Sequence, residues 1–516
     1  MSRGDEESIS DEERDALLAI AHGAVVTSGG ISGQRALRTA VEVVLARGLG
    51  PTAYGVYAMA WRIAQILVRI VTFGSVPALQ RYVPAYAGRS GRRSTVVGLA
   101  YATTAGFGVL LGVGVWLLAP WIDDLTVGQP SFVPTMRGFG FLVGLLGTIT
   151  VVSGIFRAVG SARGEVAFNK LLRPAVRLVC ASAALALGYS VVGVTGAIVV
   201  GTAALTALAV PITTRVTGIA PSLREVRSEV RRFYNHAVPV AMSSLGKVFQ
   251  NRIDVLLVGA LLTTVAAGVY NALLVLVAIA WIPLRSFNQL LPPVASELYA
   301  DGRIDVLNEL YTSVTRLIVT TVVPVLVTLV VYGREFLALF GPTYTQGYVP
   351  LVVYLGGVFV GSAVGATGWL LMMTDHQYAR MLLDWLLAAL NVALTYLFIV
   401  QFGLVGAALG TSLAIAVQNG VQVLLLRRFE DLWPFDRTFH TPIAAGGVAL
   451  VVMWAIRASV SDGFIALSGI PVGVIAYVLA LSVLGVDPRD ELVVRELADR
   501  YRADLSEAFE STDRSA

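Results

Sequence analysis

The sequence predicts an all-α membrane protein of about 14 transmembrane helices, arranged as two related six-helix bundles followed by two further helices. Three observations predict it. The 516-residue chain is 56% hydrophobic and only 14% charged, with a mean hydropathy of +0.73, where a soluble domain carries about 25% charged residues. The apolar runs are long and continuous, unlike the alternating segments of about ten residues that build a membrane barrel. Features of the first half also return in the second at a nearly constant offset.

The elements follow in order. Residues 1–16 form an acidic tail (Asp5, Glu6, Glu7, Asp11, Glu12, Glu13) without the basic stretch that opens a cleaved signal peptide. Six apolar runs, at about 18–46, 53–83, 95–121, 134–159, 170–188 and 192–213, make a first lobe over 17–213. A basic linker covers 214–236. Six more runs, at about 237–262, 265–296, 308–332, 348–373, 379–401 and 404–426, make a second lobe over 237–426. Residues 427–486 hold the last pair. In 487–516, Val493, Leu497, Tyr501, Leu505 and Phe509 recur every four residues among charges, the pattern of an amphipathic helix.

Loop charge orients the chain. Arg81, Arg89, Arg92 and Arg93, then Arg163 and Lys170, then Arg215, Arg224, Arg227, Arg231 and Arg232, and later Arg427, Arg428 and Arg437 fall on alternate connections. The intervening loops are nearly bare of cations, so the positive-inside rule puts both termini in the cytoplasm and the protein in the cell membrane. Net charge is +4, with only two lysines, Lys170 and Lys247, among 38 basic residues. That bias and the acidic tails fit a salt-adapted host. One cysteine, Cys180, allows no disulfide framework, and four scattered histidines argue against a metal centre. No cofactor, metal or nucleic-acid partner is expected, and the protein is expected to be a monomer.

The repeat is specific in places. Glu42 precedes Gly55-Val56-Tyr57 much as Asp254 precedes Gly268-Val269-Tyr270, and each carboxylate has a cation seven residues earlier, Arg35 and Lys247. Tyr57 lies 29 residues before Tyr86, as Tyr270 does before Tyr299. Phe168-Asn169-Lys170 is followed by Gly193 at the spacing that separates Tyr378-Ala379-Arg380 from Gly403. The offset stays near 210 residues. Six spans per copy keep the two copies in the same orientation, the parallel-repeat plan of secondary carriers with a site between lobes at mid-membrane.

Charge inside spans is the functional signal, because a charged side chain at a helix centre costs about 2.5–3.5 kcal/mol on insertion scales and must face protein or water. Ser28, Ser32, Arg35, Thr39 and Glu42 share one face of span one, with Arg38 a turn from Glu42. Arg62, Gln65, Arg69 and Thr72 share one face of span two. Lys247, Asn251 and Asp254 line span seven, Arg285 lies in span eight, and Asp384 in span eleven. Arg47, Arg157, Arg173 and Arg177 are read as ion-paired or directed at headgroups. Cations outnumber carboxylates, which suits an anionic ligand. Arg35, Arg38, Arg62, Arg69, Lys247 and Arg285 are the candidate binding residues, since a guanidinium fork matches phosphate. Glu42, Asp254, Asp384 and Asn251 are candidates for lobe pairing or for coupling to H⁺ or Na⁺.

Several stretches carry a resemblance. Leu45–Tyr57 (LARGLGPTAYGVY) is similar to the first-span signature of polysaccharide flippases. Asn251–Asn271, Leu291–Tyr299 (LPPVASELY) and Gly403–Thr411 (GLVGAALGT) resemble their later motifs. The resemblance runs from about Ala16 to Leu484 and points to the Wzx-like branch of the multidrug/oligosaccharidyl-lipid/polysaccharide (MOP) exporter superfamily, in a haloarchaeal host. It implies a V-shaped pair of bundles that alternates its access. The phosphate headgroup of a lipid-linked oligosaccharide would enter a cationic cavity while its tail stays in membrane lipid. By position in related lipid II flippases, Arg35, Arg69 and Arg285 would serve that cavity. Those relatives carry a cation just before the first-span carboxylate, where this chain has Val41 before Glu42.

Two other functions are weighed. A multidrug extruder of the same superfamily needs carboxylates for organic cations, whereas the first lobe is rich in arginine. A membrane glycan polymerase or transferase needs acidic metal motifs or large loops. Asp123-Asp124 in a short loop is the nearest approach, and no phosphate loop or nucleophile elbow occurs. A transporter rather than an enzyme is expected.

Overall fold

The computed structural model describes residues 11–126, 128–250, 253–460, 465 and 467–485, and among them all regular structure is helical. The acidic stretch 1–10, the amphipathic stretch 487–516, Asn251 and the side chain of Lys247 lie outside the described residues.

The first helix, α1 (Asp11–Val71), has 61 residues, which at 1.5 Å per residue would be roughly three bilayer cores long. It is two helices joined at Gly50 (φ 76, ψ 169) and Pro51. Tyr54 and Glu42 lie 12 positions apart yet touch at 2.9 Å. A straight helix would separate them by about 18 Å, so the chain reverses at Gly50. Only a residue without Cβ takes that backbone conformation cheaply, and Pro51 starts the next helix at a position that needs no N–H.

Helix α2 (Ser75–Ala85) continues the second span after a break at Phe73 and Gly74, both at positive φ. Then come α3 (Ser90–Thr126), α4 (Phe132–Ala158), the short α5 (Ala162–Glu165), a π-helical turn (Val166–Leu172), α6 (Arg173–Ala186) and α7 (Val191–Thr217). The second half holds α8 (Val226–Gln250), α9 (Ile253–Leu261), α10 (Thr264–Ala280), α11 (Ile282–Phe287), α12 (Leu291–Ala300) and α13 (Ile304–Ala338). It continues with α14 (Tyr348–Ala363), α15 (Thr367–Met373) and α16 (Gln377–Glu430), which has a non-helical residue at Gly403. The close α17 (Thr441–Ser459) and α18 (Gly469–Leu484) end the described chain. Among the described residues, eight helices are long and apolar enough to cross a membrane. The expected apolar runs lie on helical segments, some of them shorter than these eight. The runs at 53–83, 265–296 and 348–373 are broken into consecutive pieces, which hydropathy alone does not register.

The two halves meet along a tight seam where α1 turns. A Cβ on Gly55 would sit 1.8 Å from the carbonyl oxygen of Thr264, so only glycine admits this approach of backbone to backbone. Close by, Arg47 donates to the Leu339 carbonyl at 2.6 Å, Tyr344 donates to the Ala46 carbonyl at 3.3 Å, and Tyr54 meets Tyr344 edge to face.

Two connecting segments are anchored to helices. Within 214–236, α8 begins early and docks on α2 and α3. Glu229, almost fully buried, pairs with Arg92 at 3.4 Å and accepts from the Tyr86 hydroxyl at 2.7 Å. The segment between α16 and α17 is pinned to α13. Buried Arg316 donates to Asp436 and Thr438, and Asn308 accepts from the Trp433 N–H at 2.7 Å. Helices α17 and α18 are also fastened to α13, through Arg457–Glu335 (2.5 Å), Tyr332 to the Met453 carbonyl (3.2 Å) and Tyr477 to the Thr320 carbonyl (2.9 Å).

Candidate functional site

Spans one, two, four, five and six surround a cavity of about 740 Å³. Seven arginines line it: Arg35, Arg38, Arg62, Arg69, Arg173, Arg177 and Arg285. Glu42 is the one carboxylate among the lining residues. From the second half come only Leu274, Val275, Ala278 and Arg285. The chamber is therefore a cationic wall built by the first half and roofed by a mostly apolar face of the second.

The deepest part is a hydrogen-bonded network. Arg177, on α6, donates through Nη2 to Glu42 at 2.9 Å and through Nε to the Tyr57 hydroxyl at 2.8 Å, and its guanidinium lies 4.0 Å from the Trp61 ring centroid. Tyr54 donates to the other Glu42 oxygen at 2.9 Å. The Tyr54 oxygen accepts from Asn271 Nδ2 at 2.7 Å, and Asn271 Oδ1 accepts from Arg62 at 2.6 Å. Arg62 also donates to Gln65 at 2.9 Å. Tyr54 is wholly buried and Asn271 is 1% exposed. A buried carboxylate survives only when paired and hydrogen-bonded, and here both of its oxygens are engaged.

Asn271 belongs to α10, so the network crosses between the halves. A second cross-contact, Ser28 Oγ to Ser286 Oγ at 2.8 Å, lies beside Arg285.

The sequence candidates are distributed as follows. Arg35, Arg38, Arg62, Arg69, Arg285 and Glu42 are brought together in the cavity. Asp254 is buried away from it, accepting from Tyr270 at 3.1 Å. The match to Glu42 is chemical, since each repeat sets a buried tyrosine hydroxyl on its carboxylate. Asp384 pairs with Arg380 at 2.9 Å and accepts from Gln418 at 3.1 Å, also outside the cavity. Of the arginines read as paired or headgroup-directed, Arg157 lies 4.0 Å from Glu165 and Arg47 reaches a carbonyl of the seam. Arg177 is indeed ion-paired, yet it and Arg173 also line the cavity. Glu42 takes its ion pair from Arg177 of span five rather than from a neighbour on its own helix.

Sequence reasoning passed over Tyr54, Asn271 and the cavity role of span five. A lone Asn among apolar neighbours in α10 is the signal that points to Asn271, because lipid does not tolerate an unsatisfied amide. The span-five arginines are harder to find. The π-helical turn, where the Arg173 N–H reaches the Phe168 carbonyl five residues back, lies directly before them.

The fold and this chamber define a multi-pass helical membrane protein. The lipid II flippase MurJ, in an inward closed conformation, superposes with a TM-score of 0.70 at 14% identity, over 89% of this chain and 98% of that one. An inward-facing multidrug resistance MATE family transporter of the MOP superfamily gives 0.65 at 15% identity, over 77% and 94%. Within that class the chain belongs to the polysaccharide biosynthesis protein family, whose model matches residues 20–299. A probable low-salt glycan biosynthesis flippase, Agl15, of Haloferax volcanii is 22% identical over 213 residues, 41% of this chain. The chain spans 44% of the length of that curated relative.

Proposed function

We propose that the protein flips an anionic lipid-linked oligosaccharide, of polyprenyl or dolichyl phosphate type, from the cytoplasmic to the outer leaflet for assembly of surface polysaccharide or N-glycan. The observation that carries this reading is the charge of the cavity, seven guanidiniums against one carboxylate that is already paired. Positive charge gathered in that number in one chamber attracts an anion and repels an organic cation. Family membership and the names of the relatives point the same way.

Both termini are assigned to the cytoplasm on loop charge. With that orientation, moving an anion outward across an inside-negative membrane gains about 2.3 kcal/mol per charge per 100 mV. Glu42 acts in lobe pairing, through Arg177 within the first half and through Tyr54 to Asn271 in the second. Asp254 and Asp384 lie outside the chamber, so they are the candidates for H⁺ or Na⁺ coupling.

The test is Arg35→Ala/Arg69→Ala in a strain lacking the native gene. Glycan display should be lost and lipid-linked glycan should accumulate facing the cytoplasm, with protein abundance unchanged. Normal display by the double variant overturns the anionic-cavity reading.

A further inference from the structure

We propose that Arg173, with Arg38 and Asn169 beside it, is the seat for a phosphate oxygen of the transported headgroup, whereas Arg177 one turn away only positions the pocket. This rests on the anionic-substrate reading above and goes beyond it by dividing the span-five cations into a binder and a support.

The two arginines differ in what they already hold. Arg177 is occupied on three sides, by Glu42, the Tyr57 hydroxyl and the Trp61 ring. Arg173 has a single long hydrogen bond, 3.5 Å to Asn169 Oδ1, and no carboxylate pairs with it among the described residues. Its charged neighbours are Arg38 and Arg177, both cations. A half-buried guanidinium set between like charges raises the energy of the empty cavity, and an anion is what reverses the sign of that interaction. The planar fork of Arg173 can give a phosphate oxygen pair two parallel donors, with Asn169 Nδ2 as a neutral third.

The fold does not require this cation. At the 210-residue offset that relates Lys170 to Arg380, the counterparts of Arg173 and Arg177 are Leu383 and Leu387. The same helix of the second half is thus built with leucine. The local backbone is also specialised. Pro174, which has no N–H, leaves Lys170 without its helical donor. The turn before it widens to π geometry, and Asn169, Arg173, Pro174 and Arg177 all line the cavity. Single π turns of this kind recur at functional sites.

The experiment uses the full-length protein in phosphatidylcholine nanodiscs, with farnesyl phosphate as probe. Binding and thermal midpoint are measured for wild type, Arg173→Leu, Arg173→Lys and Arg177→Leu. Loss of a bidentate charged hydrogen bond should weaken binding by Arg173→Leu about tenfold or more. Arg173→Lys should recover only part, while the thermal midpoint of Arg173→Leu equals or exceeds that of wild type. Arg177→Leu should lower the midpoint. Wild-type binding unchanged in Arg173→Leu, or a lowered midpoint in that variant, overturns the assignment of Arg173 and leaves the anionic cavity standing. No farnesyl phosphate binding by wild type overturns the anionic-substrate reading itself. A further arm replaces part of the phosphatidylcholine with phosphatidylglycerol. Competition as strong as that of unlabelled farnesyl phosphate would give the seat to bulk lipid headgroups and overturn its role in transport.

Discussion

Replacing Arg177 with leucine, the residue at the corresponding place in the second half, should destabilise the protein through Glu42. Glu42 loses the 2.9 Å ion pair with Arg177, while Tyr54 still donates to its other oxygen. Removing one member of a buried pair costs about 3–5 kcal/mol, because the partner stays behind as an uncompensated charge. The contact with the Trp61 face, at 4.0 Å, adds about 1–2 kcal/mol of desolvated cation–π attraction. These losses share one side chain and are not additive, so about 3–5 kcal/mol is the expected total. The assay is a double-mutant cycle of Arg177→Leu, Glu42→Leu and the pair, followed by reversible unfolding in mixed micelles. The double variant should regain at least about 2 kcal/mol relative to the sum of the singles, since both charges then leave together. A coupling near zero, or an Arg177→Leu variant as stable as wild type, would refute the account of Glu42 as a charge held by span five.

Two further expectations follow from the packing. Gly55→Val places side-chain atoms where the Thr264 carbonyl lies 1.8 Å from a built Cβ, so the halves must part at that end. In a Cys180→Ser background, a cysteine at buried Ala46 should then react with maleimide several times faster than it does with Gly55 intact; unchanged labelling would show that the seam tolerates the bulk. Arg316→Met removes the donor that Asp436 and Thr438 share and loosens the segment between α16 and α17. With about 1.5–3 kcal/mol lost with the charged hydrogen bond, protease cleavage within 431–437 should rise markedly, and wild-type resistance would count against Arg316 as the anchor.

Much of the fold was legible because hydropathy is a property of the chain itself. Long apolar runs report where lipid or protein must surround a helix, and the helices lie where those runs do. Breaks were less legible. Gly50-Pro51 reads as an ordinary loop signal, yet the reversal takes place at one residue. The breaks near Gly74 and Asn288 sit inside runs whose composition stays apolar. In the cavity, period gave the faces of spans one and two correctly enough to gather Arg35, Arg38, Glu42, Arg62 and Arg69. Arg173 and Arg177 read as paired or headgroup-directed; Arg177 is paired with Glu42, and the place of both in the cavity depends on how span five packs against span one. Asn271 was out of reach for another reason. Its partners, Tyr54 and Arg62, are more than 200 residues away, and only the packing of α10 on α1 unites them.

The attachment of α17 and α18 has a mechanical corollary. Every fastening described for them runs to α13, and their outer faces carry bare apolar side chains such as Trp454 and Val483. They are passengers on one half and add to the apolar surface that half presents. Any rocking of the halves must therefore push aside unequal amounts of lipid, so the viscosity and lateral pressure of the surrounding membrane should bear more heavily on the half that carries this extra pair.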